Sequence, residues 1–162
     1  MINIEKLCKS YATNGATSTI FEDFNLQVNA GECAAVCGPS GSGKSTLLSI
    51  LSGLDKPTSG TVSILSTPFH ELSYDQKSAF RASRIGVLFQ SIILIPYLTL
   101  RENIALPFTY QKQTPPWHRI EEELAAMELL DCIQRYPNDL SIGQQQRFCL
   151  VRALATEPNI LL

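Results

Sequence analysis

Three glycines set ahead of a Lys-Ser-Thr triplet constrain this chain more than any other feature: Gly38-Pro39-Ser40-Gly41-Ser42-Gly43-Lys44-Ser45-Thr46. The segment fits the phosphate-loop pattern G-x-x-x-x-G-K-[ST] without a mismatch, and that pattern requires a strand entering the loop and a helix leaving it. Cys33-Ala34-Ala35-Val36-Cys37, entered from a Gly31-Glu32 turn, reads as a short buried strand. Beyond the loop, apolar residues at 47, 50, 51 and 54 recur at helical spacing, which predicts a helix starting near Lys44.

A triphosphate concentrates negative charge and must be wrapped by donors without being covered by bulky side chains. Glycines let successive backbone N–H groups turn inward. The helix start adds unpaired N–H groups and about half a positive charge. Lys44 is placed to reach the β- and γ-phosphates, Ser45 to coordinate Mg²⁺, and Thr46 to donate to a phosphate. The segment reads as a nucleoside-triphosphate site.

The chain has 162 residues, enough for one domain with a small inserted lobe. Its net charge of -2 and lack of a Lys/Arg patch argue against nucleic acid as a partner. Met1 to Lys6 lacks a signal peptide's apolar core, and the run Ile92 to Leu100, interrupted by Pro96, is too short to span a bilayer. The five cysteines, at 8, 33, 37, 132 and 149, show no metal-ligand spacing and read as reduced core thiols. His70 and His118 lie in polar contexts and read as surface residues.

Up to residue 90 the sequence reads as strands and turns around one helix. Ile2-Asn3-Ile4 and Phe24 to Val28 alternate as half-buried strands, and Asp55 to Gly60 is a turn before the alternating Thr61 to Leu65. Ser73 to Ser83 is expected to be helical, and Arg84 to Phe89 a buried strand ending in Gln90. Residues 91 to 157 read mostly helical. Thr99-Leu100-Arg101-Glu102 has capping-box spacing for a helix that Pro107 should stop. Pro115-Pro116 precedes a helix with Glu121, Glu122 and Glu123 in its early turns and Ile120, Leu124 and Met127 inward. Ser141 is placed to cap a helix with Phe148, Val151 and Leu154 inward and Pro158 beyond its end, and Asn159 to Leu162 opens an apolar strand. Ile92 to Pro96 is an apolar loop that belongs either to the core or to an exposed docking patch.

A phosphate loop alone admits small-molecule kinases, GTPases, motor ATPases and helicases. Leu140-Ser141-Ile142-Gly143-Gln144-Gln145-Gln146-Arg147 resembles the L-S-G-G-Q signature of ABC-type ATPases. Together with residues 38–46 and with Gln90 at the end of its strand, it makes the whole chain similar to an ABC transporter nucleotide-binding subunit. Leu51 to Gly60, Phe89-Gln90 and Leu98 to Asn103 resemble the segment after the phosphate loop, the Q-loop and the start of the helical subdomain. Leu106-Pro107 resembles the branch that includes macrolide exporters and lipoprotein-releasing systems.

The resemblance implies an α/β P-loop NTPase core with an antiparallel β element and a helical subdomain. Residues 1–90 would form the nucleotide-binding core, 91–157 the helical subdomain and 158–162 the start of the Walker B strand. It implies ATP and Mg²⁺ as ligands. Gly38, Pro39, Ser40, Gly41, Ser42, Gly43, Lys44, Ser45 and Thr46 would hold phosphates, and Tyr11 would stack on adenine. Ser45 and Gln90 would meet Mg²⁺, with Lys44 and Gln90 catalytic and Gln90 reporting to a membrane subunit. Ser141, Gly143 and Gln144 would touch the γ-phosphate held by a second, head-to-tail ATP-binding subunit. The implied partners are that subunit and a membrane-spanning permease, with the chain peripheral at the cytoplasmic face and transport outward.

Two departures stand out. Ile142 occupies the first glycine of the signature, and strain of about 1–3 kcal/mol is expected there if the position needs positive φ. The chain also ends at Leu162, where the resembled family continues into an Asp that holds Mg²⁺ and a Glu that polarises water. The expectation is a piece of a longer ATPase that binds nucleotide and hydrolyses it poorly by itself. Three readings follow: a transport ATPase subunit, a non-hydrolysing nucleotide-binding module, and, disfavoured by charge, an ABC-type ATPase acting on ribosomes or DNA.

Overall fold

The computed structural model describes residues 1–13 and 16–162. The chain divides into two compact units, Met1–Ser78 and Ala79–Leu162.

The first unit is built on an antiparallel sheet. Strands β1 (Ile2–Thr13) and β2 (Ala16–Val28) form a long hairpin, and β1 pairs on its other edge with β3 (Ser59–Ile64), which pairs with β4 (Thr67–Pro68). The two expected short strands are therefore parts of one ribbon that reaches Tyr11 and beyond. Alternation sets the buried face: Ile2, Ile4, Val62 and Ile64 are buried, with Ile2 opposite Ile64 and Ile4 opposite Val62. The ladder slips between Ile4 and Leu7, where Lys6 (φ 47) takes left-handed backbone, and again between Leu7 and Lys9, where Asp23 (φ 49) does so on β2. Such irregularities turn a ribbon and re-aim the side chains beyond them.

Helix α1 (Lys44–Leu51) buries Leu47, Ile50 and Leu51, as the spacing predicts, whereas Leu54 lies past its end and is exposed. Phe69 fills the unit beneath a 3₁₀ turn at Phe69–Glu71. Helix α2 (Tyr74–Arg84) starts beyond Ser73, whose hydroxyl accepts from the Gln76 N–H at 3.3 Å. Its one buried residue is a lysine, Lys77, whose ammonium stands 5.5 Å from the centre of the Phe69 ring.

The expected buried strand at Cys33–Cys37 does not form: the stretch belongs to no sheet, and all five residues are exposed. An apolar run becomes a buried strand only where a hydrogen-bonded neighbour flanks it, and no described strand pairs with it. All five cysteines are free thiols, but only Cys132 is buried; Cys8 and Cys149 are half-buried and Cys33 and Cys37 are exposed. The expectation of five core thiols fails at Cys33 and Cys37 for the same reason the strand does, and at Cys8 and Cys149 because their positions on β1 and α5 are only partly covered. His70 is half-buried, with Nδ1 3.1 Å from the Val62 carbonyl, while His118 is exposed as expected.

The second unit packs three helices, α3 (Leu100–Gln111), α4 (Trp117–Ala126) and α5 (Ile142–Leu154), around Ile104, Phe108, Ile120, Leu124, Phe148 and Val151. Thr99 caps α3 through the full capping box with Glu102. Pro107 does not stop that helix, which runs four residues further to Gln111 because burial of Ile104 and Phe108 holds both sides of it. In α4 the first turn carries no acid; Glu121–Glu123 sit mid-helix, where Glu121 and Glu123 meet Arg101 and Arg119. The strand expected at 84–89 shortens to β5 (Ile85–Gly86), paired in parallel with β6 (Ile160–Leu161). Val87 to Gln90 then opens toward solvent, with Phe89 45% exposed.

Candidate functional site

The loop at 38–46 is held by its helix and by the hairpin. Helix α1 is fixed by its buried face, and its N-cap is Gly43 at φ 93, a left-handed conformation that disfavours any side chain. Space forbids one as well: a Cβ on Gly43 would lie 2.5 Å from Ile20 Cγ2 and 2.8 Å from Phe21 Cζ, both on β2. The hairpin thus seats directly on the last glycine of the loop. At Gly38 a Cβ would press on Ser42 Oγ at 2.8 Å.

With glycine as its cap, α1 has no side-chain acceptor on its first N–H groups. Helix starts of this kind leave donors for an anion, and a serine or aspartate cap would have consumed one. Lys44 folds over the loop: Nζ donates to the carbonyls of Gly38 at 2.8 Å and Pro39 at 2.6 Å and lies 3.5 Å from Ser42 Oγ. Ser40, Gly41, Ser42 and Ser45 are exposed, and Thr46 is half-buried in the first turn of α1. Donors, a cation and an open hydroxyl therefore share one short segment, a donor set that fits a polyphosphate and a hard cation.

Tyr11 lies on the hairpin two residues beyond Lys9, which pairs across the ribbon with Phe21. Its hydroxyl donates to Asp55 Oδ2 at 2.6 Å, and the Lys9 ammonium stands 4.4 Å from its ring centre. Lys9, only 7% exposed, also donates to Asp55 Oδ1 at 2.7 Å and to the Lys56 carbonyl at 2.8 Å. Burial alone would raise the Asp55 carboxyl, but the bonds from Lys9 and Tyr11 outweigh it and hold the group below its ordinary value. Sequence reading missed Lys9 and Asp55. The signal was an i, i+2 Lys–Tyr pair on one strand face, which needs knowledge of the acid that faces it.

In the second unit, Ser141, Gly143 and Gln144 come together at the start of α5. Ser141 Oγ accepts from the Gln144 N–H at 3.3 Å, and Gln144 Oε1 accepts from the Ser141 N–H at 2.9 Å. Gln145 pins the preceding turn through the carbonyls of Pro137 and Leu140. Gly143 faces open space. Ile142 begins α5 with helical backbone and is 70% exposed, so the expected strain from positive φ does not arise. Cys149 further along α5 has its thiol pushed up by burial.

Gln90 is exposed after β5. The apolar loop that follows divides its side chains: Leu94 packs on the helical core, whereas Ile93 (49%) and Tyr97 (78%) face solvent. Asn103, 0% exposed on α3, anchors this loop. Its Nδ2 donates to the carbonyls of Ile95, Leu98 and Thr99 at 3.1, 3.0 and 3.0 Å, and its Oδ1 accepts from the Ile95 N–H at 2.9 Å.

A family model described as ABC transporter matches residues 21–162. Among curated relatives, the uncharacterized ABC transporter ATP-binding protein MJ0796 of Methanocaldococcus jannaschii is 38% identical over all of this chain and 72% of its own length. The uncharacterized ABC transporter ATP-binding protein YknY of Bacillus subtilis is 35% identical, with 100% and 71% covered. Two solved structures superpose on 99% of the chain and 72% of theirs. One is a dimeric structure of MJ0796, with a TM-score of 0.90 at 38% identity. The other is a dimeric post-hydrolysis state of that cassette bound to ADP and Pi, with a TM-score of 0.89 at 37% identity. A phosphate loop capped by glycine, a signature turn closed on itself by Ser141 and Gln144, and these matches lead to one assignment: the chain belongs to the ABC transporter family, as an ATP-binding cassette of the P-loop NTPase fold.

Proposed function

We propose that this protein is the ATP-binding subunit of a membrane transporter, coupling ATP binding and hydrolysis to transport, in the outward direction. The observation that carries the proposal is the loop at 38–46, whose glycine-capped helix start and Lys44 ammonium are shaped for a triphosphate. Lys44 exchanges its carbonyl partners for β- and γ-phosphate oxygens, and the N–H groups at the start of α1 take the remaining charge. Ser45 and Gln90 are the residues that would hold Mg²⁺, which when bound neutralises phosphate charge. Lys44 and Gln90 are the proposed catalytic residues, with Gln90 reporting the state of the site to the membrane subunit, and Tyr11 receives the adenine. Residues 1–90 serve as nucleotide-binding core, 91–157 as helical subdomain and 158–162 as the opening of the Walker B strand.

The exposure of Ser141, Ile142 and Gly143 at the start of α5 supports a shared site, in which Ser141, Gly143 and the half-buried Gln144 meet the γ-phosphate held by a second, head-to-tail subunit. The dimeric form of the MJ0796 cassette favours that arrangement. Among the described residues no helix is long and apolar enough to cross a membrane, which accords with peripheral attachment through a permease at the cytoplasmic face. The outward direction rests on the Leu106-Pro107 resemblance. ATP turnover by the protein with its permease in proteoliposomes is the test. Turnover lost in Lys44→Ala supports the proposal; tight ATP binding without turnover in the unmutated protein would instead identify a non-hydrolysing nucleotide-binding module.

A further inference from the structure

We infer that Lys9 and Asp55 are positioning residues that fix the Tyr11 ring as a platform for the base of the bound nucleotide. This rests on the reading of residues 38–46 as the phosphate site and of Tyr11 as the residue that meets the base. The Asp55 carboxylate divides its two oxygens, Oδ1 taking the Lys9 ammonium at 2.7 Å and Oδ2 the Tyr11 hydroxyl at 2.6 Å. The same ammonium stands 4.4 Å from the Tyr11 ring centre and is anchored by the Lys56 carbonyl at 2.8 Å. The ring is thus held at its hydroxyl and on one face, while the residue remains 39% exposed.

The hairpin register places this ring beside the phosphates. Lys9 pairs with Phe21, the residue that packs against Gly43 at the end of the phosphate loop, and Tyr11 follows about 7 Å further along the strand. A base extending from phosphates bound at 38–46 meets the hairpin at that point. A ring already fixed loses little rotamer freedom when a base stacks on it, so the Lys9–Asp55 pair adds affinity without touching the ligand. Depression of the Asp55 carboxyl keeps the bridge ionised into more acid solution than an ordinary carboxyl would allow.

Binding of ATP and of inorganic tripolyphosphate to the purified protein separates the base platform from the phosphate site. Tyr11→Ala is expected to weaken ATP about tenfold, the scale of one lost base–aromatic stack, and to leave tripolyphosphate unchanged. Lys9→Met and Asp55→Ala are expected to weaken ATP about threefold each, the cost of immobilising one side chain, again with tripolyphosphate unchanged. If Tyr11→Ala is selective but Lys9→Met and Asp55→Ala bind ATP normally, the inference is overturned and the base reading of Tyr11 stands. Equal weakening of both ligands by Lys9→Met and Asp55→Ala also overturns it, since their role is then merely structural. An unaffected Tyr11→Ala removes the base reading and the inference with it. Should either pair variant fail to fold, Tyr11→Phe decides, because it severs only the hydroxyl tether: an ATP-selective loss of about twofold supports the inference, and no loss refutes it.

Discussion

Replacing Asn103 with alanine tests how the loop after Gln90 is held. The side chain makes four hydrogen bonds from a fully buried position, three to carbonyls and one from the Ile95 N–H. Not all four count equally. The Thr99 carbonyl keeps the Asn103 backbone N–H at 2.9 Å after truncation, so it is not orphaned. Ile95 loses the partner of its N–H, while its carbonyl keeps the Leu98 N–H at 3.2 Å, and the Leu98 carbonyl loses its Asn103 donor. At about 1–3 kcal/mol for each buried group left unpaired, and with Ile95 only half-buried so that water can reach it, the expected loss is about 2–4 kcal/mol. Urea denaturation reads that loss, and hydrogen exchange at the Ile95 amide reads its place. Asn103→Asp is expected to be at least as damaging at neutral pH, because it sets a carboxylate against three carbonyl oxygens, and to recover partly in acid as that carboxyl takes a proton. A loss below about 1 kcal/mol in Asn103→Ala, with Ile95 protection unchanged, would refute the reasoning.

Gly60→Ala is expected to cost more than about 3 kcal/mol or to prevent folding, because at φ 86 the new Cβ falls on the Lys6 carbonyl of the paired strand; circular dichroism melting checks it. Lys77→Met is expected to stabilise the fold by about 1 kcal/mol, raising Tm by about 3 °C in calorimetry. Burial, then the nearby Lys56 charge, holds the Lys77 ammonium below its ordinary value, so the native state penalises the charge that methionine removes. Acid titration of stability tests the Asp55 bridge. Its carboxyl is depressed in the fold, so its contribution is present above the ordinary value of 3.8 and lost as pH falls through the lower folded value. Asp55→Asn is expected to flatten that part of the acid limb in pH-dependent urea melts.

Legibility in the sequence followed how local the determinants were. The capping box at Thr99 and the helix cap at Ser141 involve residues three apart; both form as the sequence predicts, and at Ser141 the structure adds the reciprocal bond from Gln144 that completes a box. The helix after the phosphate loop follows from the period of Leu47, Ile50 and Leu51. Failures came where a partner distant in sequence decides. Cys33–Cys37 has a strand's composition, but a strand exists only in its hydrogen bonds to another. Tyr11 stood out only through the family resemblance; its tie to Asp55, 44 residues away, was not legible at all. At Ile142 the expected strain depended on a positive φ, and the position is helical, where a β-branched residue is accepted.

Pro107 leaves one rung missing from the backbone ladder of α3. Proline carries no N–H, so the carbonyl of Asn103, one turn earlier, receives no helical rung. The side chain of that same residue is wholly committed to Ile95, Leu98 and Thr99. The first turn of α3 is therefore fastened to the loop before it by bonds that do not depend on the turn after it. Pulled from its C-terminal end, the helix would yield at 103–107 and leave the loop and first turn clasped together.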